Sequence, residues 1–176
     1  LGSIPVICIT GQVPLNMIGT DAFQEVDTYG LSIPITKHNF LVRSVSELCK
    51  VIPEAFRIAA SKRPGPILID VPKDIQLSSV KINHWPSPGR PDLPPRFNLK
   101  DLKRAAELIA ASRRPVLYVG GGVIGSGASD WTITLSEKAT IPMTMTLMGL
   151  GVMASDHPLY LGMLGMHAAR HTNLAM

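Results

Sequence analysis

The run IPVICIT at residues 4–10 is apolar almost without a break. A run of this kind is the mark of a strand buried on both faces of a parallel sheet. A second such run, GPILIDVP, follows at residues 65–72. Between them residues 44–62 read as a helix. Ser44 and Glu47 stand at capping-box spacing, and Leu48, Ile52, Ala55, Phe56 and Ala59 fall on one face. Pro53 interrupts that pattern and is expected to kink it.

Beyond the second strand the composition changes. HWPSPGRPDLPPRF, residues 84–97, carries five prolines and no apolar periodicity, so it reads as a stiff extended linker and the domain boundary. Asn98 then caps a helix with Leu99, Leu102, Ala106 and Ile109 expected inward. PVLYVGGGV is a strand running into a glycine turn, Trp131, Leu135 and Ala139 mark a shorter helix, IPMTMTL is another strand, and HAARHTNLAM begins a further helix. Strand and helix alternating at this spacing predict βαβ units on both sides of the linker, hence an α/β fold with parallel sheets.

The bulk numbers narrow the function. The chain has 176 residues, 45% hydrophobic and 17% charged, with a formal net charge of +4. That suits a globular chain with a useful core. The basic residues come in ones and twos and aromatics are only 5%, so no nucleic-acid surface is expected. No uninterrupted apolar run reaches the ~18 residues of a membrane span, and no secretory signal is visible. Cys8 and Cys49 are expected as buried thiols in a reducing compartment. The chain starts at Leu1 and stops at Met176 within a helix-like run, so it is expected to be a piece of something longer.

Several stretches are candidates for chemistry. GTDAFQEVD, residues 19–27, follows the first strand. Thr20 or Asp21 could cap a helix there, with Gln24 three residues after Asp21. The same polar cluster at a strand's carboxyl end is equally suited to a ligand site. Gly120, Gly122 and Gly125 satisfy G-x-G-x-x-G between a strand and a helix. The acidic residue that a nicotinamide dinucleotide wants on the next strand is missing from MTLMGLG. A flavin or other diphosphate is still allowed there, and so is a plain tight turn. TLMGLG and LGMLGMHAAR add two small-residue turns with His167, while Met163 and Met166 read as core filling. Lys73 and Asp74 suit either a surface ion pair or a cation aimed at an acidic substrate. No zinc-like spacing, nucleophile elbow or P-loop is present.

Taken together, ITGQVP, GTDAFQE, TKHNFLV, RPGPILIDVPKDIQ, PVLYVGGGV, TLMGLG and LGMLGMH, in this order, resemble the large catalytic subunit of the acetolactate synthase (acetohydroxyacid synthase) family of thiamine-diphosphate enzymes. The resemblance runs along essentially the whole chain. It implies that residues 1–80 are the end of the pyrimidine-binding domain, 81–97 the linker, and 98–176 the start of the central, Rossmann-like FAD-binding domain. Family members decarboxylate pyruvate on thiamine diphosphate and join the two-carbon unit to pyruvate or 2-oxobutyrate, on the way to branched-chain amino acids. Magnesium and FAD are the implied companions, the flavin without net redox work.

The site residues implied by the resemblance are these. Gln24 matches the glutamine beside the thiamine, and Phe23 the wall over its reactive carbon. Lys73 matches the lysine at the mouth of the substrate channel, and Pro14 and Lys37 line that channel. Arg63 matches an FAD-contacting arginine. Gly121, Thr146, Leu147, Leu164, Gly165, Met166 and His167 match the flavin turns. No residue here is expected as a metal ligand. Ala168 departs from the family glycine after LGMH, and Pro53 is unexpected in its helix. The family's activating glutamate and its Gly-Asp-Gly segment are expected outside these residues, so the chain alone is expected to be inactive. A homodimer or homotetramer, a regulatory small subunit and a cytoplasmic location (plastid or mitochondrion in a eukaryote) are further implications. The alternatives are a non-catalytic flavin-binding or interaction module, and another carboligase such as glyoxylate carboligase.

Overall fold

The computed structural model describes residues 2–176, which form two compact units that divide between Arg96 and Phe97. The fold is α/β, with one three-stranded, wholly parallel sheet in each unit.

In the first unit β1 (Ile7–Gln12), β2 (His38–Leu41) and β3 (Ile67–Pro72) pair in the order β1-β3-β2. The central strand is the most apolar and lies in the core, with Ile67, Ile69 and Val71 buried. β1 is an outer strand with no buried residue, so its apolar run does not report the burial on both faces that the sequence suggests. Ile9 remains 68% exposed and the Cys8 thiol is exposed as well, against the expectation of burial. β2 was not foreseen. His38 and Asn39 break its apolar character, and Asn39 is buried by donating to Tyr29 O and Ser32 Oγ of α1 (Thr28–Ser32).

Helix α2 (Leu48–Ala60) covers the sheet with Val51, Ala55 and Ala59, a strict i, i+4, i+8 stripe. Ile52 and Phe56, expected on that stripe, instead point to a second partner. They line an apolar cavity of about 500 Å³ with Val80, Trp85 and Pro88 of the proline-rich segment. That segment is a strap tied to α2. Arg57 binds both oxygens of Asp92 at 2.7 Å and also pairs with Glu54, while Asp92 N donates to Ser61 Oγ. Gly89 packs so tightly that a methyl there would lie 1.8 Å from Pro53 O. The helix runs on through Pro53. Ser44 and Glu47 do not form the expected box. Glu47 reaches back to Arg43 N and Ser44 Oγ meets Ser46 Oγ.

The second unit opens with α4 (Leu99–Ala111), following the short α3 (Lys73–Leu77) of the first. Asn98 caps α4 as expected by accepting from Lys100 N. No residue of α4 is buried, so Leu99, Leu102, Ala106 and Ile109 are not inward. The sheet of β4 (Leu117–Val119), β5 (Met143–Met145) and β6 (Tyr160–Met163) pairs in sequence order. Between β4 and β5 run α5 (Gly121–Gly125) and α6 (Ser129–Ala139), a βαβ unit. β5 reaches the unforeseen β6 through a 3-10 turn and loop without an α-helix, and α7 (Arg170–Leu174) closes the unit. The core is Val119, Met143, Met145, Val152 and Met153. Met166, expected as core filling, is 90% exposed.

Two carboxyl edges as a candidate site

Parallel α/β sheets present ligands at the carboxyl ends of their strands, where loops begin and helix N-termini point outward. Here each sheet has such an edge.

At the first edge β1 leads through Pro14 into a 3-10 turn, Leu15–Met17, and then a loop to Asp27, the cap of α1. No helix starts at Thr20 or Asp21, contrary to one of the two expectations, and Gln24 is not on a helix. Gly19, Asp21 and Gln24 take left-handed backbone angles, with φ of 84°, 57° and 65°. A helix cannot continue through them. The loop is closed instead by Glu25, whose two carboxylate oxygens accept from Gly19 N and from Ala22 N (3.0 Å for Ala22). Those backbone donors hold the Glu25 carboxyl below the ordinary carboxylate range. Phe23 is left 88% exposed and Gln24 is exposed beside it.

The base of the loop rests on the sheet. Asp70 is buried in the central strand and accepts from Thr10 Oγ1 at 2.8 Å and from Gln12 Nε2 at 3.2 Å. Gln12 Nε2 also donates to Val26 O at 2.7 Å. One amide thus joins the strand interior to the loop's far end. Lys73 begins α3 directly after β3 and is exposed. It does not pair with Asp74, whose Oδ1 accepts from Leu15 N at 3.1 Å. That bond ties the turn after Pro14 to the helix of Lys73. Pro14, Phe23, Gln24 and Lys73 therefore share one edge.

Lys37 and Arg63 do not. Lys37 precedes β2 and donates its backbone N–H to Pro66 O, ahead of β3. Arg63 also precedes β3 and donates to Ser3 Oγ at 2.8 Å. A six-residue parallel strand puts about 20 Å between its two ends. Within this sheet Lys37 is thus not beside Pro14 and Lys73. Its ammonium donates to Ile58 O and Ser61 O, capping the carboxyl end of α2. Partial burial, then the nearby Lys62 charge, push it below the ordinary lysine range.

The second edge gathers all seven remaining candidates. Gly121 begins α5 after β4, Thr146 and Leu147 follow β5, and Leu164, Gly165, Met166 and His167 follow β6. Thr146 N donates to Val119 O at 2.9 Å and Leu164 N to Met145 O at 3.0 Å, so the turns extend the ladder. Glycine is required where they cross. A methyl on Gly149 would stand 2.5 Å from Val119 O, and one on Gly121 3.0 Å from the Met148 carbonyl oxygen. Gly165, at φ 118°, is held by Asn173 through reciprocal bonds of 3.1 and 3.0 Å. Ala168 N donates to Gly165 O at 3.0 Å. Leu147 and Met166 are exposed apolar groups on this rim, at 70% and 90%.

The sequence reading missed Glu25, Gln12 and Asp70 at the first edge and Gly149 and Asn173 at the second, and gave Asp74 a different partner from the Leu15 N–H it accepts. Glu25 stood inside a quoted motif, and its spacing from Ala22 was the available signal. Among the described residues no group of three His, Cys, Asp or Glu side chains is placed to hold a metal ion, and no helix is long and apolar enough to cross a membrane.

Comparison with known proteins bears on both edges. Residues 102–176 match the family described as "Thiamine pyrophosphate enzyme, central domain". The acetolactate synthase isozyme 1 large subunit of Escherichia coli (strain K12) is 58% identical over 173 residues, 98% of this chain and 30% of the relative. Isozyme 2 of the same organism is 47% identical over 176 residues, all of this chain and 32% of the relative. A probable acetolactate synthase large subunit of Methanocaldococcus jannaschii is 49% identical over 179 residues, 99% of this chain and 30% of the relative. The chain spans roughly a third or less of the length of each of these relatives.

Proposed function

We propose, for a chain that belongs with the large subunits of acetolactate synthases among the thiamine-diphosphate enzymes, that its two carboxyl edges are parts of that enzyme's cofactor and substrate sites. The reaction is the decarboxylation of pyruvate and the joining of its two-carbon unit to a second pyruvate or to 2-oxobutyrate. The observation that carries the reading is the clustering of Pro14, Phe23, Gln24 and Lys73 on one edge, in a chain similar to those subunits from end to end.

Thiamine diphosphate, when bound, supplies the electron sink for decarboxylation. The residues of the first edge fit its neighbourhood in kind. Phe23 is a free apolar ring that can exclude water from the reacting centre, and Gln24 is a neutral amide that can donate to a substrate oxygen without exchanging a proton. Lys73 is an exposed cation at a strand end, suited to drawing in the carboxylate of a 2-oxo acid. Pro14 stands beside it as wall. Lys37 has its ammonium committed to the end of α2, so a wall position for it rests on the resemblance alone.

The second edge fits FAD. Its glycine turns leave open backbone at Gly122 and Gly165, where a methyl would meet nothing within 4 Å. Leu147 and Met166 offer apolar surface, and no carboxylate stands among the seven candidates to repel a diphosphate. Arg63 is proposed as a flavin contact from the resemblance. Magnesium is assigned to the Gly-Asp-Gly type of segment, which these 176 residues lack. A small regulatory subunit and a homo-oligomer are the proposed partners.

The test is acetolactate formation from pyruvate with thiamine diphosphate, magnesium and FAD supplied. The intact polypeptide containing these residues is expected to form product and the 176-residue chain alone to form none. Intact protein that binds FAD but yields no acetolactate would favour the non-catalytic module, and turnover of glyoxylate in its place would favour the other carboligase.

A further inference from the structure

We infer that Glu25 is a positioning residue, a latch whose carboxylate holds the turn between Gly19 and Gln24 so that Phe23 and Gln24 face outward from the first edge. The inference rests on the function proposed above, in which those two side chains meet the reacting groups.

Its geometry is specific. One Glu25 oxygen takes the N–H of Gly19 and the other takes that of Ala22. Hydrogen bonds to an ionised carboxylate are about twice as strong as neutral ones. Both oxygens face inward to the turn, so this carboxylate is occupied with backbone and is poorly placed to exchange a proton with a ligand. The same backbone donors hold its pKa below the ordinary carboxylate value, as a carboxylate bonded in this way should show.

The latch is needed because the turn is unfavourable by itself. Asp21 and Gln24 occupy the left-handed region without being glycine, a conformation that a side chain's Cβ disfavours. Few other bonds hold it. Thr20 returns to Met17 O through N–H and Oγ1, and Glu25 N donates to Ala22 O at 2.9 Å. No described core residue lies between Gly19 and Gln24, and Phe23 is 88% exposed. Packing therefore does not set where the ring and the amide point. The lower end is fixed independently, by Gln12 between Asp70 and Val26 O. Loss of Glu25 is expected to loosen the turn and leave its base and the sheet in place.

The experiment compares wild type with Glu25→Ala and Glu25→Gln in the intact polypeptide, reading amide hydrogen exchange, melting temperature and acetolactate kinetics. Glu25→Ala should speed exchange at Gly19 and Ala22 and lower kcat by tenfold or more, since about 1 Å of misplacement costs on the order of a hundredfold. KM for pyruvate should change by less than about twofold, because loose positioning affects the transition state more than ground-state binding. Glu25→Gln retains an acceptor oxygen and the side-chain shape, and should recover part of both losses. Unchanged exchange at Gly19 and Ala22 overturns the latch. Faster exchange with undiminished kcat overturns the positioning role, as does a kcat loss that Glu25→Gln recovers with no recovery of protection. Wild-type protein without acetolactate activity would sink the functional reading instead, and the exchange comparison would still decide whether the latch exists.

Discussion

At the first carboxyl edge the loops are held by side chains: Gln12, Asp74 and Glu25 each give or take hydrogen bonds to loop backbone, and buried Asp70 accepts from the side chains of Thr10 and Gln12 beneath them. At the second edge they are held mostly by backbone crossing backbone, at distances that only glycine tolerates. The contrast teaches that similar strand ends can be built from two materials. A side-chain edge depends on charge state and tolerates small changes of shape. A backbone edge is indifferent to charge and, where its chains cross at Gly149, intolerant of a single methyl.

The largest expected effect tests the second edge. Gly149→Ala would press a Cβ to 2.5 Å from Val119 O, with the Val119 carbonyl carbon also at 3.1 Å. Neither is a flexible side chain, so backbone must move. The expected cost is about 3 kcal/mol, seen as a lower denaturation midpoint. A midpoint equal to wild type would mean that the crossing is loose and the contrast false. Next comes Asp70→Ala at the first edge. It strips the buried partner from Thr10 and Gln12 and should cost about 2 kcal/mol by the same measurement.

A smaller effect probes the exception. Asn173 is a side chain serving the second edge, paired both ways with Gly165. Asn173→Ala should cost about 1 kcal/mol and raise amide exchange at Gly165, leaving Thr146 protected.

The smallest effect is a pH response. Glu25 has a folded pKa below its ordinary value, so its hold on the loop is fully present above the ordinary carboxylate pKa and is lost as pH falls through the folded one. In an NMR titration the shared midpoint of the Gly19 and Ala22 amide shifts should lie below the ordinary carboxylate pKa of about 4.3. The Thr146 amide, bonded to the Val119 carbonyl, should not follow. A shared titration would erase the distinction between the edges.

Much of this fold was legible because apolar runs and helix stripes report burial directly. β3, β5 and α2 were read from such patterns, and the cap at Asn98 from its side chain. The misreadings have physical causes. β1 carries apolar residues that its outer position leaves partly uncovered, and α4 carries an apolar stripe that nothing in these residues covers. β2 and β6 hid because His38, Asn39 and Gly162 interrupt short strands whose pairing is decided by distant neighbours. At the site, exposed motif residues could be named by resemblance, but the residues that fix them could not. The three-residue spacing from Ala22 to Glu25 hints at a local bond, but it does not disclose that the second oxygen takes Gly19 N, or that Gln12 reaches Val26 across fourteen positions. Lys37 illustrates the converse, a motif residue whose edge is decided only by strand direction.

The strand orders carry a consequence for how the chain is made. In the order β1-β3-β2 neither outer strand bonds to the other, so no ladder exists until the central strand has been synthesised. The two pairings described here each span a long stretch of chain, some thirty residues from β2 to β3 and some sixty from β1 to β3. Sheets of such non-local pairing form slowly and leave apolar strands unpaired meanwhile. The β4-β5-β6 order lets each new strand add to the last as it emerges. Of the strands described here, β1 (Ile7–Gln12) is separated from its ladder partner by the longest stretch of chain, so a pause in synthesis between the two should leave that pairing unmade longest.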